Sequence, residues 1–197
     1  MILASVRSSR PGLEIDGELV VVHPDRSKVA LLPSGEFSSL LAALGAWSAA
    51  EPTLRAADAQ LRAGTWTATK PAADCFFLAP LPRTFALLDG SAYIEHIRLV
   101  RKARGAELPE DLFTIPLMYQ GASDNLLAAT DDIPLIDPGH GMDFESEVAV
   151  ITDFVPMGTV SSKAEKHIKL LVLMNDVSLR ELDRKSTRLN SSHTDIS

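Results

Sequence analysis

Glu145 and Glu147 stand one residue apart in a stretch that is otherwise small or apolar, Phe144-Glu145-Ser146-Glu147-Val148-Ala149-Val150-Ile151. From Asp143 to Ile151 the sequence alternates like a strand, with Phe144, Ser146, Val148 and Val150 on one face and Glu145, Glu147, Ala149 and Ile151 on the other. Two residues of strand rise roughly 6.6 Å, so both glutamates point the same way and can reach one ion. Each is costly to bury alone, and side by side they repel. A cation between them removes both problems. Two further carboxylates follow apolar residues: Asp89 after Leu87-Leu88, and Asp176 after the run that ends Leu173-Met174-Asn175. Ligation by several carboxylate oxygens suits Mg²⁺, Mn²⁺ or Ca²⁺ rather than zinc. Histidine readily exchanges a proton near neutral pH, so His96 could take one from water if its tautomer is held.

Each of these residues also has a plain structural reading. An isolated aspartate is commonly a cap or turn residue, a Glu-x-Glu pair an exposed strand face, and a helix histidine a partly buried packing residue. Ala149 and Ile151 on the glutamate face weigh against the exposed-face reading, but the residues alone do not bring the four carboxylates together.

The elements that must position them can be read from pattern. Residues 1 to about 70 read as a small α+β unit: Leu19–Val22 and Val29–Leu32 form a hairpin across the turn His23-Pro24-Asp25-Arg26-Ser27. A helix follows with Leu40, Leu41, Leu44 and Trp47 on one stripe. A second is predicted to begin near Pro52 and to stop at Gly64. The proline-spaced segment Pro71 to Pro82 reads as the crossing into a second unit. There Ser91 is positioned to cap a helix running to about Arg104, ended by Gly105, with Tyr93, His96, Ile97 and Val100 on one face. Tyr119-Gln120-Gly121-Ala122-Ser123-Asp124 reads as a turn motif, and Ser162-Lys163-Ala164-Glu165 as a capping box. An apolar run from Leu170 to Met174 then meets Asn175-Asp176.

Composition excludes several classes. The chain has 197 residues, is 46% hydrophobic and 23% charged, and carries a formal net charge of −7. That balance suits a globular protein and not a nucleic-acid surface, and no basic run is interleaved with aromatics. No apolar stretch is long enough for a membrane-crossing helix, and the amino terminus lacks the apolar core of a signal peptide. Cys75 is the single cysteine, so no internal disulfide can form; the reading is a cytoplasmic protein with Cys75 as core packing beside Phe76-Phe77. His23, His140 and His167 read as exposed residues without a catalytic part.

From Leu88 to Arg180 the chain resembles the fumarylacetoacetate hydrolase family. Four motifs carry the resemblance: Asp89 with His96 seven residues on, Tyr119-Gln120-Gly121, Asp143-Phe144-Glu145-Ser146-Glu147, and Asn175-Asp176-Val177-Ser178-Leu179-Arg180. Residues 1 to 70 resemble the small amino-terminal domain of bacterial members. The resemblance implies Asp89, Glu145, Glu147 and Asp176 as ligands of Mg²⁺ or Mn²⁺ (or Ca²⁺), His96 as general base, and Tyr119 and Arg180 as substrate contacts. It implies hydrolysis of a carbon–carbon bond in a β-diketo or 2-oxo acid of the fumarylacetoacetate or acylpyruvate type, with decarboxylation, hydration or isomerisation as alternatives. It further implies a small-molecule substrate and is compatible with a homodimer, while charge and the short apolar runs imply no nucleic-acid or membrane partner.

The fold expectation is therefore α+β: a small amino-terminal domain over 1–75, an incomplete β-rich catalytic domain over 76–183, and a tail over 184–197. Only Leu189 and Ile196 are aliphatic in that tail, which reads as disordered. Ser186-Thr187-Arg188-Leu189-Asn190-Ser191-Ser192-His193 resembles translated sequencing adapter, so the expectation is a fragment cut near Asp183. It lacks the lysine and the glutamate that the family carries further on, and is inactive as it stands. The competing expectation is a non-catalytic metal-binding or structural fragment.

Overall fold

The computed structural model describes residues 1–185 except Ser34, Glu36, Arg104 and Asp124. Helices and strands are both present in quantity, and the fold is α+β. Two compact units divide the chain: Met1–Ala43 with Ala49–Thr130, and Leu44–Ser48 with Asp131–Ser197.

In the first unit four strands make an antiparallel sheet in sequence order: β1 (Ile2–Val6), β2 (Glu18–Val22), β3 (Lys28–Leu31) and β4 (Thr69–Pro71). The β2–β3 hairpin is the one expected, and its turn places Arg26 at φ +61° while the Asp25 carboxylate accepts the Ser27 N–H at 2.9 Å. β2 is buried on both faces, which explains its unbroken Leu19-Val20-Val21-Val22 run. Val6, Val20, Val22 and Val29 form one core cluster, and Ala72, Cys75 and Phe77 pack against it. Cys75 is thus a packing residue, and burial raises its thiol pKa above the ordinary value.

The amino-terminal sheet holds more of the chain than the expected boundary near residue 75. Arg7 N–H donates to Phe76, Leu78 N–H donates to Ser5, and the fully buried Ser5 hydroxyl donates to the Pro80 carbonyl at 2.7 Å. Helix α1 (Leu40–Gly45) is followed by α2 (Trp47–Ala63), which starts earlier than predicted and carries Pro52 inside it. A proline there removes one helical hydrogen bond. The buried stripe Trp47, Ala50, Leu54, Ala57 and Leu61 keeps helical spacing across Pro52 and outweighs that loss.

Strand β5 (Leu87–Gly90) pairs antiparallel with β6 (Met118–Gly121), so Tyr119-Gln120-Gly121 is strand rather than turn. Helix α3 (Ile94–Ala103) begins three residues after Ser91 and ends as expected at Gly105, whose φ of +63° only glycine adopts without strain. Ser91 does not begin it: its N–H donates to the Leu117 carbonyl instead.

The second unit contains β7 (Met142–Asp143), β8 (Ser146–Thr152), helix α4 (Ser161–Ala164), β9 (Ile168–Asn175), β10 (Ser178–Leu179) and α5 (Arg180–Lys185). β8 pairs antiparallel with β9, and β7 with β10. The strand expected over 143–151 is therefore interrupted at Phe144-Glu145, because its two parts pair with different partners. The expected capping box does not form: α4 starts at Ser161 after Val160, without a side-chain cap, and Glu165 opens a turn of 3₁₀ helix. α5 extends through Arg184 and Lys185. The tail expected beyond them lies outside the described residues.

Candidate active site

In the first unit the register places Asp89 directly opposite Tyr119. Opposed residues of an antiparallel pair project to one face, so two residues from separate motifs share a surface by strand pairing alone. Tyr-x-Gly has a packing logic in this pair. Gly121 shares the face of Tyr119, and a Cβ built there lies 3.3 Å from Tyr119 Cε1 and 3.0 Å from Leu87 Cδ2. The absence of that carbon leaves room for the ring. His96 sits on α3 with its side chain exposed, one residue before the buried Ile97.

In the second unit the Asp143–Glu147 and Asn175–Arg180 motifs are tied into one local structure. The Glu145 N–H donates to the Asn175 side-chain oxygen at 3.2 Å, and the Asp176 N–H donates to the Glu145 carbonyl at 2.9 Å. The Glu145 Oε1 atom accepts the Ser178 hydroxyl and stands 3.0 Å from Arg180 Nη2. Arg180 Nε in turn donates to Asp143 Oδ2 at 2.9 Å. Its backbone N–H donates to the Gly141 carbonyl, and a side chain at Gly141 would be strained by the φ of +67° and by Glu181, 3.1 Å from a built Cβ. Arg180 is 29% exposed and Glu145 17%. Burial pulls the Arg180 pKa down, but hydrogen bonding and charge from Asp143 and Glu145 more than offset this and leave it raised. The cation that the glutamate pair called for is, beside Glu145, a guanidinium. Glu145 and Glu147 lie on the less exposed side of this segment, as the alternation predicted, and Val148 and Val150 on the more exposed side.

The donor set of Asp89, Glu145, Glu147 and Asp176 has the all-oxygen chemistry of a hard divalent cation. Among the described residues no group of three or more His, Cys, Asp and Glu side chains is placed to hold a metal ion. The donors fit such an ion by type and not by present placement.

His167 departs from its expected exposure. It is 9% exposed, its Nδ1 lies 2.6 Å from Asp153 Oδ1, and Lys169 Nζ stands 3.1 Å from Asp153 Oδ2. The apolar run that follows His167 in sequence is the signal that it enters a strand end rather than a solvated helix. Asn175 and Ser178, motif positions to which the sequence assigns no role of their own, hold Glu145. Their hydrogen-bonding capacity beside a carboxylate strand was the signal available. His140 is half-buried in a turn where Asp137 caps Gly139, and His23 is held by Asp25 at 2.6 Å.

Both halves of the chain match family models. Residues 1–83 match the fumarylacetoacetase N-terminal domain 2, and residues 86–195 match the fumarylacetoacetate (FAA) hydrolase C-terminal domain. The chain belongs to the fumarylacetoacetate hydrolase family, whose domains are those of hydrolase- and lyase-type enzymes. No curated protein matches it. Among the described residues no helix is long and apolar enough to cross a membrane.

Proposed function

We propose that this protein is a hydrolase that cleaves a carbon–carbon bond in a β-diketo or 2-oxo acid, of the fumarylacetoacetate or acylpyruvate type, with a divalent cation, Mg²⁺ or Mn²⁺. The observation that carries this reading is the hydrogen-bonded union of the two motif segments, Glu145 with Asn175, Asp176 and Ser178, in a chain whose family match spans both halves. A divalent cation supplies charge that stabilises a developing enolate. In this reading Asp89, Glu145, Glu147 and Asp176 are its ligands. His96 takes the proton from the attacking water, an assignment its exposed position on α3 supports by leaving the ring within reach of solvent. Tyr119, opposite Asp89, orients the substrate. Decarboxylation, hydration and isomerisation of 2-oxo acids share the same enolate, and substrate profiling separates them. Assembly as a homodimer and a cytoplasmic location are proposed from the family resemblance and from composition.

The test is acylpyruvate cleavage with Mn²⁺, followed by loss of the diketo absorbance: cleavage by the wild type separates an enzyme from the inactive fragment expected from the sequence, and an active wild type is then compared with His96→Ala, Glu145→Ala and Glu147→Ala. Removal of a general base or of a ligand lowers turnover by about 10²-fold or more. Cleavage that is unchanged in all three variants overturns the assignment.

A further inference from the structure

We propose that the first unit carries a binding site for a neutral, planar ring with an amide-like polar edge, in the cleft beside Trp66. This site is separate from the residues of the candidate active site and does not depend on the reaction proposed above. The cleft opens where α2 ends and the chain turns towards β4. It has a volume of about 340 Å³ and is lined by Gln60 and by the segments Leu31–Pro33 and Thr65–Ala68. That volume is at the lower end for small-molecule sites, so the ligand is of the size of one or two rings.

The local chain holds the indole in place from both ends. α2 stops in a Schellman end: Gly64, at φ +72°, donates to the Leu61 carbonyl at 3.2 Å, and the Thr65 N–H donates to the Gln60 carbonyl at 2.9 Å. The Trp66 N–H reaches the same Gln60 carbonyl at 3.3 Å. Its indole Nε1–H is shared between the Leu31 and Ala68 carbonyls, at 3.3 and 3.2 Å. Backbone and ring edge are thus both fixed, and the half-buried ring stays at the cleft wall. An aromatic surface ordered before binding lowers the cost of association, and a second ring gains by offset stacking on it. The rest of the lining selects the ligand's charge. Among the described residues no acidic or basic side chain lines the cleft, so a charged ligand would give up hydration without gaining a partner. Leu32 and Pro33 add apolar contact, and Gln60, Thr65 and Thr67 offer neutral donors and acceptors for the polar edge of a ring.

Titration of the full chain with benzamide, followed by the assigned indole N–H resonance of Trp66, tests this. Benzoate and benzamidinium serve as probes of the same shape with a negative and a positive charge. Trp47, 7% exposed and not part of the cleft lining, is the internal control. The expected result is a saturable shift of the Trp66 signal with a dissociation constant of about 1 mM, while the Trp47 signal stays in place. Both charged probes should bind at least about fivefold more weakly. Thr67→Phe, which fills the cleft from an exposed position, should abolish the shift. No saturable shift with benzamide overturns the site. Equal or tighter binding of either charged probe overturns the neutral ligand class. A shift that survives in folded Thr67→Phe overturns the placement. Should Thr67→Phe not fold, Gln60→Ala replaces it, since that side chain is exposed. It should weaken benzamide about threefold, and unchanged affinity there overturns the placement as well.

Discussion

A single missing carbon at Gly121 decides how Tyr119 lies on β6. The two residues share a strand face, and the Cβ of an alanine at 121 would press on the Tyr119 ring edge and on the Leu87 methyl. Both are ends of side chains that can yield by a few tenths of an ångström. Gly121→Ala is therefore expected to move the tyrosine rather than to break the β5–β6 pair, with a stability loss of about 1 kcal/mol. Ring proton chemical shifts of Tyr119, assigned with a Tyr119→Phe control, report the movement directly. Unshifted ring signals in Gly121→Ala would mean that the ring does not rest over the glycine. The same pair shows what sequence alone leaves out, the spatial relations among the candidate residues. Asp89 and Tyr119 stood out by type and motif, thirty positions apart, and only strand register made them opposed neighbours. The family resemblance gives Arg180 as a substrate contact; that it pairs with Asp143 and Glu145 is seen only once β7 pairs with β10.

The β8–β9 hairpin is fastened at one end by Asp153, His167 and Lys169, and at the other by the Glu145–Asn175 bond. Partial burial raises the Asp153 pKa, but hydrogen bonds from His167 and Lys169 and the lysine charge overcome this, so its pKa falls below the ordinary 3.8. A carboxylate with a lowered folded-state pKa stabilises fully above its unfolded value and loses that contribution as pH falls through the folded one. Asp153→Asn is expected to destabilise the protein by about 1–3 kcal/mol near neutral pH. The gap from wild type should narrow as pH is lowered below about 4. Urea unfolding at a series of pH values measures it, and a gap that stays constant down to the acid limit would remove Asp153 as the source. Elements with strong local signals were legible: the β2–β3 hairpin and the stop of α3 at Gly105. Those set by tertiary competition were not. α2 ran through Pro52 because its apolar stripe does, the Ser162–Glu165 capping pattern gave way to a start at Ser161, and the strand over 143–151 was divided between two partners.

Across the whole molecule, charge and apolar exposure pull solubility in opposite directions. A formal net charge of −7 favours dispersed molecules. Against it, one face of the β8–β9 hairpin sets Val148 opposite Leu173 and Val150 opposite Leu171, and the two leucines are 79% and 72% exposed. Cross-strand neighbours of this kind make a contiguous apolar surface, and among the described residues the sheet holds only these two strands. Leu171→Lys combined with Leu173→Lys places two positive charges on that face while leaving the buried valines of β2 untouched. Because both leucines are mostly exposed, the double variant is expected to keep the wild-type melting temperature. It should also bind less of an apolar dye and scatter less light as concentration rises. A melting temperature several degrees lower would show instead that these leucines are packed in solution, since removing exposed apolar groups carries little stability penalty and removing packed ones carries a large one.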